Sequence, residues 1–208
     1  IEAIKLAYEI GLDGVEISAG TRRVEDNLPN RAPERQEMYR NVAYKYGMMI
    51  PSICIGEIGS LPLNSEPKAA IWVADVIEMA QNLGAKNILI PVLGNCNTEN
   101  DFRRLIDVLS ELAPRAEDAG INLSLEAHLS GEDHLRIFKA VNSPNVKAYY
   151  DPKNAVFKDF DPYKTIPMLE GHIGQVHIKN GKKLLKETDP EYPLDFPKIA
   201  SLLIPRGV

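Results

Sequence analysis

The sequence predicts an α/β protein of the (β/α)8 barrel class, with one domain over residues 1–208 in which the first and last strands are not visible. Helical and strand signals alternate along the chain, and the strand segments are strongly apolar, as buried parallel strands are. The strands begin near residues 14, 48, 87, 121, 146 and 173, at intervals of 34, 39, 34, 25 and 27 residues. These intervals average one strand–helix unit of a barrel, which needs about 250 residues in total.

The alternative architecture is a complete, doubly wound open sheet of six strands. A helix opens the chain with no strand before it, and a helix closes the chain with no strand after it. One further unit places an eighth strand just beyond Val208, and the first strand would lie just before Ile1. We therefore expect one barrel domain that is truncated at both ends.

The elements of the first half are recognised by apolar periodicity and by glycines that end helices. Gly11, Gly47 and Gly84 each follow a helical segment, and Ser65 is the expected cap of the third helix. The predicted elements are a helix over 1–11, a strand over 13–18, a helix over 32–46, a strand over 48–55, a helix over 66–83 and a strand over 87–93.

The second half continues the alternation, and its longest helix contains a proline. Thr98 is the expected cap of this helix, Gly120 ends it, and Pro114 inside it predicts a kink or a break. The polar stretches 19–33 and 181–193 are candidate loops over the active face. The predicted elements are helices over 99–119, 132–141, 162–170 and 197–203, and strands over 121–127, 146–152 and 173–180.

Composition excludes several classes of protein. The chain is 44% hydrophobic and 25% charged, with a formal net charge of −5 and no Lys/Arg stripe that would indicate a nucleic-acid groove. No apolar run approaches the roughly 20 residues that span a bilayer. Cys54 and Cys96 are too few for a disulfide scaffold, so we expect reduced thiols and a cytoplasmic protein. The chain begins at Ile1 and shows no signal peptide, which leaves a removed leader open.

Three strand-like segments of the second half end in residues that ligate metals. Glu126 ends one, Asp151 the next and His177 the third, at spacings of 25 and 26 residues. If the strands are parallel neighbours, these side chains converge at one end of the sheet and form an oxygen/nitrogen site for a divalent cation. Taken singly, Asp151 before Pro152 is explained as a turn or helix cap, and His177 as a core histidine.

Further polar residues share the same faces. Residues i and i+2 of a strand point the same way, which pairs His128 with Glu126 and Lys179 with His177. Charged groups inside apolar strands are costly unless they are paired or bound to metal. Glu16, at the end of the second barrel strand, and Asn154 after Asp151 complete the set of candidates.

The segments LSLEAH, YYDPKN and VHIKN, in this order and spacing, resemble the xylose isomerase-like TIM barrel superfamily. That superfamily includes sugar (phosphate) isomerases and epimerases, inosose dehydratase and the endonuclease IV branch. The resemblance implies that Glu126, Asp151 and His177 hold Mn²⁺, Mg²⁺, Co²⁺ or Zn²⁺. A fourth ligand, a Glu of the eighth strand that is also the second acid/base group, is expected beyond Val208. Asn154 departs from the epimerases, which often have His at that position.

The implied function is a metal-dependent isomerase or epimerase of a small sugar or sugar-like hydroxy-carbonyl compound. Glu126 would act as ligand and base in proton transfer through a metal-stabilised enediolate, and Lys179 would stabilise the developing oxyanion. Substrate oxygens would be bound by Glu16, His128, Asn154 and Lys179.

Three alternatives stand beside this function. The same metal and base would serve a dehydratase of the inosose dehydratase type, and a non-catalytic barrel would need no metal. The endonuclease branch usually carries several more His, Asp and Glu ligands, whereas this chain has four His in total. The expected partner is therefore a small molecule, with no nucleic acid and no membrane, and homo-oligomerisation stays open.

Overall fold

A computed structural model describes residues 1–20, 28–181, 183–187, 189–191 and 193–207 of the chain. Within them lies one sheet of six parallel strands, whose spatial order equals their order in the sequence. The strands are β1 (Ile17–Ser18), β2 (Ser52–Cys54), β3 (Asn87–Val92), β4 (Asn122–Ala127), β5 (Val146–Tyr150) and β6 (Ile173–Val176).

The helices form a continuous layer around the sheet. They are α1 (Glu2–Glu9), α2 (Pro33–Tyr46), α3 (Pro67–Leu83), α4 (Glu99–Ala119), α5 (Gly131–Val141), α6 (Pro152–Phe157), α7 (Pro162–Met168) and α8 (Phe196–Leu203). Contacts run from α1 through α2, α3 and α4 to α5, and from α5 through α7 to α8. A doubly wound sheet would place its helices on two opposite faces. The open-sheet alternative is therefore wrong, and the barrel arrangement is confirmed.

Alternation along each strand separates an apolar outer face from a polar inner face. In β4, Leu123 and Leu125 are fully buried in the hydrophobic core against the helix layer. Asn122, Ser124 and Glu126 occupy the alternate positions and therefore point to the barrel interior. The hydrophobic core thus lies between sheet and helices, and polar chemistry is concentrated inside the sheet.

A row of neutral polar side chains crosses this interior, and we call it the interior polar ladder. Gln175 donates to Ser52 Oγ at 3.1 Å, and Asn87 donates to Gln175 Oε1 at 3.3 Å. Ser124 and Asn122 both donate to Asn87 Oδ1, at 3.0 and 3.1 Å. The ladder joins β2, β3, β4 and β6, so Asn87 is its hub.

Two details of the helices correct the sequence prediction. Helix α4 is continuous from Glu99 to Ala119 with Pro114 inside it, so the predicted break is absent. One backbone hydrogen bond is lost at a proline, but apolar residues on both sides of it are buried and hold the helix on the sheet. The N-cap of α3 is Glu66 and not Ser65, whose hydroxyl instead donates to the Pro62 carbonyl. The predicted cap Thr98 is confirmed, with Asp101 completing a capping box.

The strands are shorter than predicted, which changes how the site residues are held. The predicted strand over 146–152 ends at Tyr150, and that over 173–180 ends at Val176. The short helix α6 was not predicted. Of the predicted loop over 19–33, residues 21–27 lie outside the described residues, as do residues 182, 188 and 192 of the loop over 181–193. Among the described residues, no helix is long and apolar enough to cross a bilayer.

Candidate metal centre

Asp151 follows β5 directly and is the N-cap of α6. Its Oδ1 accepts hydrogen bonds from the backbone N–H groups of Lys153 at 2.8 Å and Asn154 at 3.1 Å. Pro152 at the first helical position needs no N–H there, which favours a helix start. The cap uses one carboxylate oxygen and fixes the direction of the other. Asp151 is therefore a helix cap and a candidate ligand at once, because the two functions use different oxygens.

Glu126 lies inside β4, opposite Pro91 of β3, and is 6% exposed. Its Oε1 accepts a hydrogen bond from Asn154 Nδ2 at 3.0 Å and lies 3.3 Å from His177 Nδ1. Since Asn154 is also held by the cap at Asp151, the start of α6 fixes the Glu126 carboxylate. One short helix thus orients both acidic side chains.

His177 is the first residue after β6. Its backbone N–H donates to the Tyr150 carbonyl at 2.8 Å, which continues the backbone hydrogen bonding between β5 and β6. The imidazole packs against the Tyr149 ring, with ring centroids 4.6 Å apart. Backbone pairing and ring packing together hold the imidazole toward Glu126, although His177 lies outside the strand itself.

These three residues form one cluster. One ligand atom of each lies within 4.8 Å of the other two, as the sequence predicted for neighbouring parallel strands. Asp151 Oδ2 is buried and, among the described residues, accepts no hydrogen bond of good geometry. A buried carboxylate oxygen aimed at a second carboxylate and an imidazole fits a divalent cation. Glu126, Asp151 and His177 are therefore the residues that would hold one.

Charges inside the cluster compensate one another. Burial raises the pKa of Glu126, but the hydrogen bond from His177 and the charges of His177 and Lys179 outweigh burial, and the net shift is downward. Burial keeps the pKa of Asp151 above its ordinary value, against the opposing effect of Lys179. The hydrogen bond to Glu126 raises the pKa of His177. The cluster is thus an acidic pair that needs cationic partners.

The remaining predicted residues divide between this cluster and its surroundings. Lys179 forms ion pairs with Asp151 and with Glu126, the latter at 3.5 Å. His128 is half-buried and lies against the Phe157 ring at 5.6 Å, and burial lowers its pKa. Lys179 and His128 both border the carboxylates on the inner face of the barrel.

Glu16 has different partners from those expected of a residue at a strand end. Since β1 begins at Ile17, Glu16 precedes the strand. Its Oε2 accepts hydrogen bonds from Ser52 Oγ at 2.7 Å and Tyr149 Oη at 3.0 Å. Glu16 therefore continues the interior polar ladder to Tyr149, which packs on His177.

Sequence reasoning missed Tyr149 as the residue that packs on His177, and it missed the bond from Asn154 to Glu126. Tyr149 stands two residues before Asp151, so the period-2 rule already puts both on one face. A pocket of about 660 Å³ lies elsewhere, between α2 and α3, where Arg31 pairs with Asp75. None of the predicted site residues lines that pocket, so it does not identify the chemistry.

Comparisons with known proteins agree with this arrangement. A family model described as a xylose isomerase-like TIM barrel matches residues 4–207 of the chain. The L-ribulose-5-phosphate 3-epimerase UlaE of Escherichia coli strain K12 is 27% identical over 198 residues, covering 88% of this chain and 69% of that protein.

Solved structures agree on the fold. The D-psicose 3-epimerase of Clostridium cellulolyticum H10, solved with D-tagatose, superposes with a TM-score of 0.78 at 18% identity, covering 99% of this chain and 75% of that one. The 3-keto-D-glucoside 4-epimerase of Escherichia coli superposes with a TM-score of 0.75 at 16% identity, covering 99% of this chain and 82% of that one. Both enzymes share the barrel described above.

Proposed function

The chain belongs to the xylose isomerase-like TIM barrel family, and from this premise we propose that it is a divalent-metal-dependent isomerase or epimerase of a small sugar or sugar-like hydroxy-carbonyl compound. The observation that carries the proposal is the convergence of Glu126, Asp151 and His177 within 4.8 Å. The relatives described above are epimerases by name, which supports the same class of reaction.

Such an enzyme moves a proton at a carbon beside a carbonyl group. When bound, a divalent cation supplies Lewis-acid stabilisation of the negative charge that develops on oxygen. Glu126 takes the carbon-bound proton in this proposal, because its carboxylate is ionised at neutral pH and lies in the cluster that would hold the cation. Its position is fixed by Asn154 and His177, so the accepting oxygen is already oriented.

Lys179 and His128 are assigned to the substrate. The ammonium group of Lys179 supplies a positive charge beside Glu126, where an oxyanion would form. His128 is neutral at pH 7, since burial lowers its pKa, and a neutral imidazole both donates to and accepts from sugar hydroxyls. The adjoining Phe157 ring, 56% exposed, offers an apolar wall for the carbon skeleton.

Glu16 and Asn154 have supporting positions in this scheme. Asn154 holds Glu126 and still has its amide oxygen for a hydroxyl donor. Glu16 holds Tyr149 and Ser52 through one carboxylate oxygen, which leaves the other for a substrate hydroxyl. Both residues remain proposed substrate contacts.

The test is solvent deuterium exchange, with metal content measured on each sample. The protein, produced with any residues that flank this sequence in its gene, is incubated in D₂O with ketopentoses, ketohexoses, their phosphates, hydroxypyruvate and keto-inositols. We expect one substrate to gain deuterium at the carbon beside its carbonyl. His177→Ala should lose metal and exchange, and excess Mn²⁺ should restore part of both. The matched control is His172→Ala at the opposite end of β6, where the imidazole stacks on Phe138.

Other outcomes would redirect the proposal. Loss of water from a keto-inositol, without epimerisation, would assign the same cluster to a dehydratase. A folded protein that binds no divalent metal and exchanges no substrate proton would be a non-catalytic barrel. Equal losses in His177→Ala and His172→Ala would show that the effect is structural and not a loss of ligand.

A further inference from the structure

Lys179 lies directly on the two carboxylates that are the candidate ligands. Its ammonium group is paired with Asp151 Oδ2 and is 3.5 Å from Glu126 Oε1. The Asp151 side chain is 1% exposed and that of Glu126 is 8% exposed, whereas that of Lys179 is 45% exposed. A half-exposed cation thus covers two buried anions.

The anions are held by bonds that do not involve Lys179. Asp151 Oδ1 is fixed by two backbone N–H groups, and Glu126 Oε1 by Asn154. Asp151 Oδ2, in contrast, is buried and, among the described residues, has the ion pair with Lys179 in place of a hydrogen bond. The buried carboxylates of Asp151 and Glu126, whose ligand atoms lie within 4.8 Å of each other, repel unless a positive charge lies between them. Lys179 provides that charge from within the chain.

A divalent cation would need the same oxygen atoms. Metal–carboxylate bonds are short, about 2.0–2.6 Å, and an ammonium group pressed against the same oxygen repels the ion. Of the groups concerned, only Lys179 has the exposure and the flexible four-carbon stem that allow it to leave.

We propose that Lys179 is an internal competitor of the metal, which neutralises Asp151 and Glu126 until a divalent cation displaces its ammonium group. The released ammonium group then lies at the mouth of the site, where a substrate oxyanion would find it. This inference rests on the proposed function, since it assigns the ion to the same cluster. It predicts that Lys179 weakens metal affinity, whereas a ligand or a positioning residue would strengthen it.

The experiment is calorimetric titration of the chelator-treated protein with Mn²⁺. Lys179→Met should bind Mn²⁺ more tightly than the wild type by about 10-fold, a typical coupling between two ligands of one protein. Without metal, its melting temperature should fall, because two buried anions lose their partner. The rise in melting temperature on adding Mn²⁺ should be larger than in the wild type. Lys179→Arg keeps the charge and should stay close to the wild type.

The matched control is Lys158→Met, which removes an exposed positive charge at the end of α6 whose field reaches His128. It should change the Mn²⁺ dissociation constant by less than about 2-fold, since surface charges are screened. An equal gain in Mn²⁺ affinity in Lys158→Met would mean that the effect comes from net charge alone, and it would overturn the proposal. If Lys179→Met does not fold, Lys179→Gln serves as the second neutral variant.

The outcomes separate this inference from the proposed function. Unchanged Mn²⁺ affinity in Lys179→Met overturns the competition alone, and weaker affinity would make Lys179 a positioning residue. A folded wild type and a folded variant that both fail to bind Mn²⁺ overturn the metal-dependent function and the competition together. Tighter binding in the neutral variants, with Lys158→Met unchanged, supports the competition.

Discussion

The barrel interior holds two polar regions whose side chains are partnered in different ways. In the interior polar ladder, neutral amides and hydroxyls bond to one another, and Asn87 receives two donors and donates to Gln175. At the carboxylate end, one ligand atom each of Glu126, Asp151 and His177 lies within 4.8 Å of the other two, and the buried Oδ2 of Asp151 is paired with the Lys179 ammonium group. The two regions share β4 and β6, where Ser124 stands two residues before Glu126 and Gln175 two residues before His177.

The difference shows that one sheet keeps the side chains that stabilise the fold apart from those that are proposed to carry the chemistry. A satisfied neutral network costs little to bury and specifies one strand register. Buried like charges oppose folding and are tolerated where a ligand or a neighbouring cation compensates them. Substitutions in the ladder should therefore change unfolding, and substitutions at the carboxylate end should change binding and catalysis.

The largest expected effect is on proton exchange in Glu126→Gln. This change keeps the size of the side chain and removes the charge that, in the proposed function, would bind metal and accept the proton. Exchange into the substrate should fall by roughly 10²- to 10⁴-fold, the contribution of general-base catalysis. Ser124→Ala, two residues earlier on the same face, is the control and should retain exchange; wild-type exchange in Glu126→Gln would contradict the assignment.

The second prediction tests the ladder at its hub. Asn87→Ala removes the shared partner of Ser124, Asn122 and Gln175 and leaves buried groups unpaired, which should lower the free energy of unfolding by about 3 kcal/mol. Urea unfolding measures the loss. Ser124→Ala should cost about 1 kcal/mol, because Asn87 keeps its bond from Asn122. Equal costs for the two variants would show that Asn87 is not the hub.

The third prediction concerns the close approach of β6 to the ladder. A Cβ at Gly174 would lie 2.6 Å from Asn87 Oδ1 and 2.8 Å from Ser124 Oγ. Gly174→Ala should therefore destabilise the fold by about 2 kcal/mol through overpacking. Gly56→Ala is the control, because a Cβ there meets nothing within 4 Å. In an Asn87→Ala background the cost of Gly174→Ala should shrink, and strictly additive costs would argue against this contact.

The smallest expected effect comes from a buried ionisable group outside both regions. His134 of α5 is 3% exposed, its Nδ1 donates to the Ser130 carbonyl at 2.8 Å, and burial lowers its pKa from the ordinary value of 6.5. As the pH falls, the His134 imidazole therefore binds a proton in the unfolded chain at a pH where it remains neutral in the folded protein. Stability from this group is complete above about pH 6.5 and is lost as the pH falls below that value.

His134→Asn retains a donor for Ser130 and removes the titration. Between pH 7.5 and 5.5 the wild type should lose about 1 kcal/mol more unfolding free energy than the variant, which urea unfolding at the two pH values measures. Parallel losses would mean that His134 is not held neutral. This result would sharpen the comparison between the ladder and the carboxylate end. Buried, hydrogen-bonded His134 stabilises the fold as the ladder residues do only while its imidazole is uncharged.

Much of the fold and the candidate ligand set could be predicted from the sequence. Strand–helix units at regular spacing imply parallel neighbours, and parallel neighbours bring their C-terminal ends to one edge. Glu126, Asp151 and His177 met for that reason. The same local logic predicted the Thr98 cap, whereas α6 was missed although Asp151 followed by Pro152 is a helix-start signal. The uninterrupted α4 shows packing prevailing over the local cost of Pro114.

What only the tertiary structure decided is how these side chains are partnered. The sequence by itself determined faces and ends, because a strand alternates every two residues and each unit adds one neighbour. It did not determine that Lys179 lies across Glu126 and Asp151, nor that Asn87 bonds to Gln175, 88 residues away. Those contacts depend on strand register, side-chain rotamers and competition among several donors for one oxygen. Register, rotamers and this competition are settled only when the folded sheet brings residues that are distant in the sequence into contact.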